Sequence, residues 1–287
     1  MKKDIRDEFL RLIHNEEYLK SEEYLKKNIP KKIYKFIDFL NKSDDVNKEN
    51  DKKLDSLANN QLWLCKISNL NDPFEYVGCL NDESKDKDLI KMIYDAFKQQ
   101  LLITSFTENG YDNMPMWSYY ANDHRGICIE FEVLDNEKLY PVLYENKKLD
   151  ITELIKRLIQ LSVSNNNEDA ANKKTIIKWL YMLALFKHTS WRHEQEYRIV
   201  KSSSCDKLDG LSISEDEDGK LNLVDEEGRI ISIVNEEGQS ISVSELGLKV
   251  STIFIGKNCE YQKRLIDISK KIDCEVRQVT MDDVWII

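Results

Sequence analysis

The stretch SWRHEQEYRIV at 190–200 limits the fold more than any other part of the chain. It alternates too regularly for a helix. Read at a period of two, Glu194, Glu196 and Arg198 share one row, while Gln195, Tyr197 and Ile199 share the other. Like charges two residues apart repel, and a carboxylate taken out of water without a partner is costly. Such a row is therefore either a solvated face held by a structural ion pair or the wall of a polar cleft.

The rest of the chain sets the bounds within which that choice is made. With 287 residues, 41% hydrophobic and 33% charged, it has enough apolar material for one large core or two smaller ones and a heavily solvated exterior. No apolar run is long enough to span a bilayer, and MKKDIRDEFL at the start lacks the apolar block of a signal peptide, so a cytoplasmic protein without membrane association is expected. Six scattered cysteines form no C-x-x-C pair, which argues against a disulfide framework and a zinc knuckle. A net charge of −10 disfavours nonspecific binding to nucleic acid, which enters only as an acceptor to be modified.

Periodicity divides the chain into an N-terminal helical arm over 1–30, with EEYLK repeated at 16–20 and 22–26, and a single domain over 31–287. Within that domain KKIYKFIDFL (31–40) reads as a strand or a strand entering a helix, NKSDDVNKENDKK (41–53) as a polar loop, and Leu62–Lys66 as a strand. A helix is expected over 82–100, strands over 101–107 and 126–133, and a short helix over 114–123. One or two long helices fill 150–189, and a strand at 250–259, a helix at 260–272 and the closing strands CEVRQVTM and DVWII complete the sheet. Between 206 and 245, Gly219, Gly228 and Gly238 sit in acidic turns between short alternating apolar runs, the pattern of a β-meander inserted into the domain. The fold class is α+β, a mixed or antiparallel sheet core with inserted helices.

Several segments are candidates for a site. In NLNDPFE (69–75), Asn71 or Asp72 caps a turn, Pro73 fixes φ and Phe74 anchors the loop, while Glu75 gains a role only by meeting the 194–198 row across a cleft. In MWSYYANDHRG (116–126), Trp117, Tyr119 and Tyr120 divide between core and pocket, and His124 either ends the helix or lines a site. His188 and His193, flanking Trp191, read as structural. A metal-dependent nuclease would need Glu75, Glu130 or Glu194 as ligands, but no basic groove accompanies them and no metal is expected.

Together NLNDPFE, MWSYYANDHRGICIEFEV (116–133), WRHEQEYRIV (191–200) and IFIGKN (253–258) resemble the bacterial family catalogued as domain of unknown function 2971, over residues 33–285. A looser resemblance is to the ADP-ribosyltransferase fold. There a strand leads into a short helix bearing a serine and a tyrosine, an apolar strand follows, and a later strand carries the catalytic glutamate. That resemblance implies an NAD-using enzyme, an ADP-ribosyltransferase or NAD glycohydrolase acting as a bacterial toxin or anti-phage effector, with NAD as substrate. It implies Glu196 as the catalytic carboxylate and Glu194 as a second one that steers the acceptor. It also implies Ser105, Trp117, Ser118, Tyr120, His124 and Arg198 as cofactor-binding residues. On the first strand, where the fold expects a His or Arg, this sequence has Tyr34 and Lys35. A carboxylate beside the ribose suits the chemistry, since loss of nicotinamide passes through an oxocarbenium-like state. The rival class is a non-catalytic module that binds a small molecule, or a protein partner through the helical arm or the acidic meander.

Overall fold

A computed structural model describes residues 18–27, 29–40, 44–72, 75–76, 78–79, 87–146, 149–163, 176–202, 212–215, 221–224, 229 and 238–280. In chain order the elements are α1 (Tyr18–Lys26), β1 (Lys32–Ile37), α2 (Asp44–Ala58), β2 (Gln61–Lys66), β3 (Gly78–Cys79), α3 (Lys87–Gln100), β4 (Leu101–Thr107), α4 (Met114–Tyr120), β5 (Ile127–Val133), β6 (Leu139–Pro141), β7 (Leu143–Glu145), β8 (Leu149–Asp150), α5 (Thr152–Val163), β9 (Phe186–His188), β10 (Glu196–Ser202), β11 (Ser212–Glu215), β12 (Leu221–Val224), β13 (Gly238–Ser242), β14 (Leu248–Ile255), α6 (Gln262–Ile272) and β15 (Glu275–Gln278). Further helical residues lie at 176–182.

The α+β expectation holds. Nine strands form one sheet in the order β13-β2-β4-β1-β5-β14-β15, with β10 on β4 and β6 on β10. All its ladders are antiparallel except β14 with β15. Side chains alternate across the pleat, so each strand serves two layers. Ile33, Phe106, Ile129, Phe131, Tyr197 and Ile199 meet Leu54 and Leu57 of α2 and Leu265 and Ile268 of α6 on one face. On the opposite face, Leu101 and Ile103 pack under α3, α5 and the 176–182 segment, whereas Phe36, Cys128 and Phe254 pack under Met116 and Trp117 of α4.

The sheet forks at β4. One edge of β4 is filled by β10 from Leu101 to Thr107. The other is shared: β2 pairs only at Leu102 and Ile103, and β1 only at Thr107. Between these ladders the edge at residues 104–106 has no strand partner.

Four expectations are corrected. Residues 44–53 of the polar segment are not a loop, because α2 spans Asp44–Ala58 and buries Leu54 and Leu57; its charged first half hid the period. Phe186 belongs to strand β9, which pairs in parallel with β7, and not to a helix. Gly238 is not a turn tip: it pairs with Cys65 in β13, where a Cβ would strike the Trp63 ring, while Gly219, Gly228 and DVWII fall outside the described residues. Glu194 and Gln195 precede the strand, Glu194 ending a 3-10 turn (Thr189–Glu194) and Gln195 adopting a left-handed φ of 46°. The meander divides, β11 and β12 forming a separate hairpin and β13 joining the main sheet on β2. In the arm, Leu25 of α1 is buried with Leu143, Trp179 and Phe186. No helix among the described residues is long and apolar enough to cross a membrane.

Candidate functional site

Directly opposite each other on β10 and β4 stand Glu196 and Thr107, then Arg198 and Ser105, then Val200 and Ile103. The Val200–Ile103 end of this row lies under the helices. Its other end opens into a cleft of about 180 Å³ beside the fork, lined by Tyr34, Phe36, Met116 and Tyr120 together with Asn69–Asp72, Glu75, Lys187 and Trp191.

Arg198 organises the wall. Its side chain is 1% exposed, and all five of its N–H donors are engaged. Nη1 and Nη2 donate to Oε2 and Oε1 of Glu75 at 2.8 and 2.7 Å. Nε and Nη2 donate to Oε1 and Oε2 of Glu196 at 2.7 and 3.0 Å, and Nη1 also donates to the Ala184 carbonyl. Lys187 completes the cluster, donating from Nζ to Glu194 at 2.6 Å and Glu196 at 3.0 Å, with Glu75 at 3.6 Å. The parallel ladder of β7 and β9 sets Lys187 beside Tyr144, whose hydroxyl accepts the Glu196 N–H. The Tyr120 hydroxyl donates to the remaining oxygen of Glu194.

These contacts decide the protonation states. Burial alone would raise the Glu196 carboxyl, but Arg198 and Lys187 more than reverse it and hold it at about 2. Burial opposes the charge on Lys187 as well, yet the Glu196 and Glu194 carboxylates keep its value above the ordinary one. Burial and the bond to Glu194 push the Tyr120 hydroxyl up. Lys35 differs from Lys187. Its ammonium donates to the Ser105 carbonyl at 3.0 Å, at the unpartnered edge of β4, and lies over the Phe106 ring, with no carboxylate at ion-pair distance among the described residues. Burial accordingly lowers it.

Of the residues singled out in the sequence, Tyr34, Lys35, Asn71, Asp72, Glu75, Ser105, Tyr120, Glu194, Glu196 and Arg198 converge on this cleft. Three others do not. Trp117 is fully buried, its ring stacked on His124 and edge-on to Phe36, its Nε1 donating to the Tyr111 carbonyl. His124 lies outside the lining of this cleft, against the Trp117 ring, and Ser118 is exposed outside the lining as well. Phe74 lies outside the described residues. Glu130 is engaged elsewhere by Lys32, Tyr34 and Ser251, so it does not join Glu75 and Glu194. Among the described residues no group of three His, Cys, Asp or Glu side chains is placed to hold a metal ion. The cations Arg198 and Lys187 occupy the centre of the carboxylate cluster instead.

Sequence reasoning missed Lys187, Trp191 and Tyr144. A signal existed for Lys187: one cation ending the apolar run WLYMLALF must be buried, and a buried cation needs a carboxylate.

Residues 116–199 match the family described as protein of unknown function DUF2971. The match takes in the MWSYYANDHRG block and most of the WRHEQEYRIV strand, and is narrower than the span 33–285 expected from the motifs. No curated protein and no solved structure matches the chain.

Proposed function

We propose that the cleft beside the fork binds a small molecule and acts on NAD, which enters by its nicotinamide riboside end. The observation that carries this reading is the burial of Glu75, Glu194 and Glu196 with Lys187 and Arg198 at the wall of an open cleft. A buried ion cluster gives a protein little stability beyond an apolar replacement of the same volume. Clusters that line a cleft are more often spent on ligand charge, where water is excluded and fixed charges act strongly.

The chemistry suits the outer end of the cluster. Departure of nicotinamide leaves positive charge on the ribose, and Glu194, next to Tyr120 and Trp191 at the lining, supplies a fixed negative charge for it. Glu196, whose two oxygens are both held by Arg198 and one also by Lys187, acts as a positioning residue for these cations. At about 180 Å³ the cleft is below the ~300–1,000 Å³ that whole drug-sized ligands occupy, so it takes one ring and sugar and leaves the rest of NAD outside. Such an enzyme would serve as a toxin or anti-phage effector by exhausting NAD or by modifying an acceptor.

The test is nicotinamide release from NAD by the purified chain, with Glu194→Gln as the comparison and thermal melts of both. Release by wild type, reduced on the order of 100-fold or more in the variant, is the expected result. A folded wild type that leaves NAD intact with protein and nucleic-acid acceptors present overturns the enzymatic reading.

One observation favours a second reading. Both oxygens of Glu196 and both of Glu75 are already held by Arg198, which suits a rigid binding module better than a carboxylate waiting for a ribose. That module would be stabilised by a metabolite without consuming it, and would signal through the helical arm or the acidic 206–245 segment.

A further inference from the structure

The mouth of the cleft carries rings that its polar wall does not need. Tyr119 is 69% exposed, although most large apolar side chains of the described residues are covered. Its ring lies edge-on to those of His193 and Tyr120, with centroids 6.2 and 6.4 Å away and planes 61° and 72° apart. His193 lies in turn 6.3 Å from Trp191, the planes 25° apart. Since Trp191 lines the cleft, the row Tyr119, His193, Trp191 leads from open solvent to the cleft wall. It is supplied by two elements, α4 and the 3-10 turn Thr189–Glu194, which the Tyr120 hydroxyl joins by its bond to Glu194.

The neighbouring charges narrow what such a row can hold. Lys187 sits 4.8 Å over the Trp191 ring with its charge already shared by Glu194 and Glu196, whereas Arg192 of the same turn is exposed beside the rings. Rings beside cations suit a planar group joined to an anion, while the chain's net charge of −10 is unsuited to a polynucleotide. We infer that Tyr119, His193 and Trp191 form an aromatic subsite at the cleft mouth for the base of a mononucleotide, which stacks on the exposed Tyr119 ring with its edge towards His193 and its phosphate turned towards the cleft. Bases stack on aromatic side chains whatever their hydrogen-bonding edge, so the subsite selects a base over none and discriminates weakly among bases. This deepens the reading above by assigning the part of the ligand that the cleft leaves outside, and it does not require that nicotinamide be released.

Calorimetric titration of the full chain with AMP and with ribose 5-phosphate, which lacks only the base, tests it. AMP is expected to bind at least tenfold more tightly, as one stacked base provides. Tyr119→Ala, an exposed position where thermal melts should not change, is expected to remove most of that difference, whereas Leu134→Ala, equally exposed but elsewhere, should leave it intact. Equal affinities for the two probes, absence of AMP binding, or an unchanged AMP affinity in Tyr119→Ala overturns the subsite. The two proposals fail separately: AMP binding that needs Tyr119 without NAD consumption leaves the subsite standing alone, and NAD consumption blind to Tyr119→Ala leaves only the enzymatic reading.

Discussion

With its guanidinium donating to both oxygens of Glu75 and both of Glu196, Arg198 has no substitute that keeps both carboxylates paired. A lysine is a point charge without the planar fork, so Arg198→Lys should fail almost as badly as Arg198→Met. Either leaves a carboxylate buried and short of partners, and the expected loss is about 3–5 kcal/mol by urea denaturation. Adding Glu75→Gln to Arg198→Met should recover part of it, and identical losses in the single and double variants would show that the pair is not coupled. Period two placed Glu196 and Arg198 on one face of β10, as they are, whereas Glu194 reaches the same cleft from the 3-10 turn before the strand. The meeting of Glu75 with that row was legible only as a condition, because the two lie more than a hundred residues apart and nothing local to either segment dictates the contact. Trp117 and His124 misled for a related reason, since an aromatic motif looks the same in sequence whether it meets a ligand or stacks on itself.

At the level of elements, α4 takes its position from both of its ends. Asn113 caps the first turn by accepting the Met116 N–H, and Asn122, Asp123 and His124 all take positive φ before Gly126. That left-handed turn presents the His124 carbonyl to Gly256 at the end of β14, where a Cβ would collide with it. Asn258 donates its backbone N–H to the same carbonyl at 2.9 Å. Gly256→Ala should therefore cost about 1–3 kcal/mol in a urea titration, as overpacking does, and shift Tyr120 away from Glu194. A stability within a few tenths of wild type would mean that the turn yields without strain. Strand β14 starts two residues before and stops four residues short of the expected 250–259, whereas β4 and β5 were legible to within one residue of their ends. The polar helix α2 was not, since its stability comes from the tertiary burial of Leu54 and Leu57 and not from its composition.

For the molecule as a whole, acid is the condition that reaches the fold through the site. Glu196 titrates at about 2 in the folded state, against an ordinary 4.5. A carboxylate depressed on folding adds stability that is complete above its unfolded value and disappears as the pH falls through its folded one, here from 4.5 towards 2. The contribution is roughly 3 kcal/mol. Unfolding free energies measured across that window should fall in wild type and fall less in Glu196→Gln; parallel profiles would mean that other carboxylates govern acid unfolding. The fork has a mechanical consequence of its own. Among the described residues the bridge from Tyr34 to Thr107 is the single in-sheet joint between β4 and the half-sheet β1-β5-β14-β15, whereas β10 is zipped to β4 along seven residues. Across the fork the backbone ladder is thus almost absent and side-chain packing takes its place, Phe106 of β4 meeting Phe131 of β5 edge-on at 5.5 Å, so the aperture is framed by a core and not by a continuous sheet.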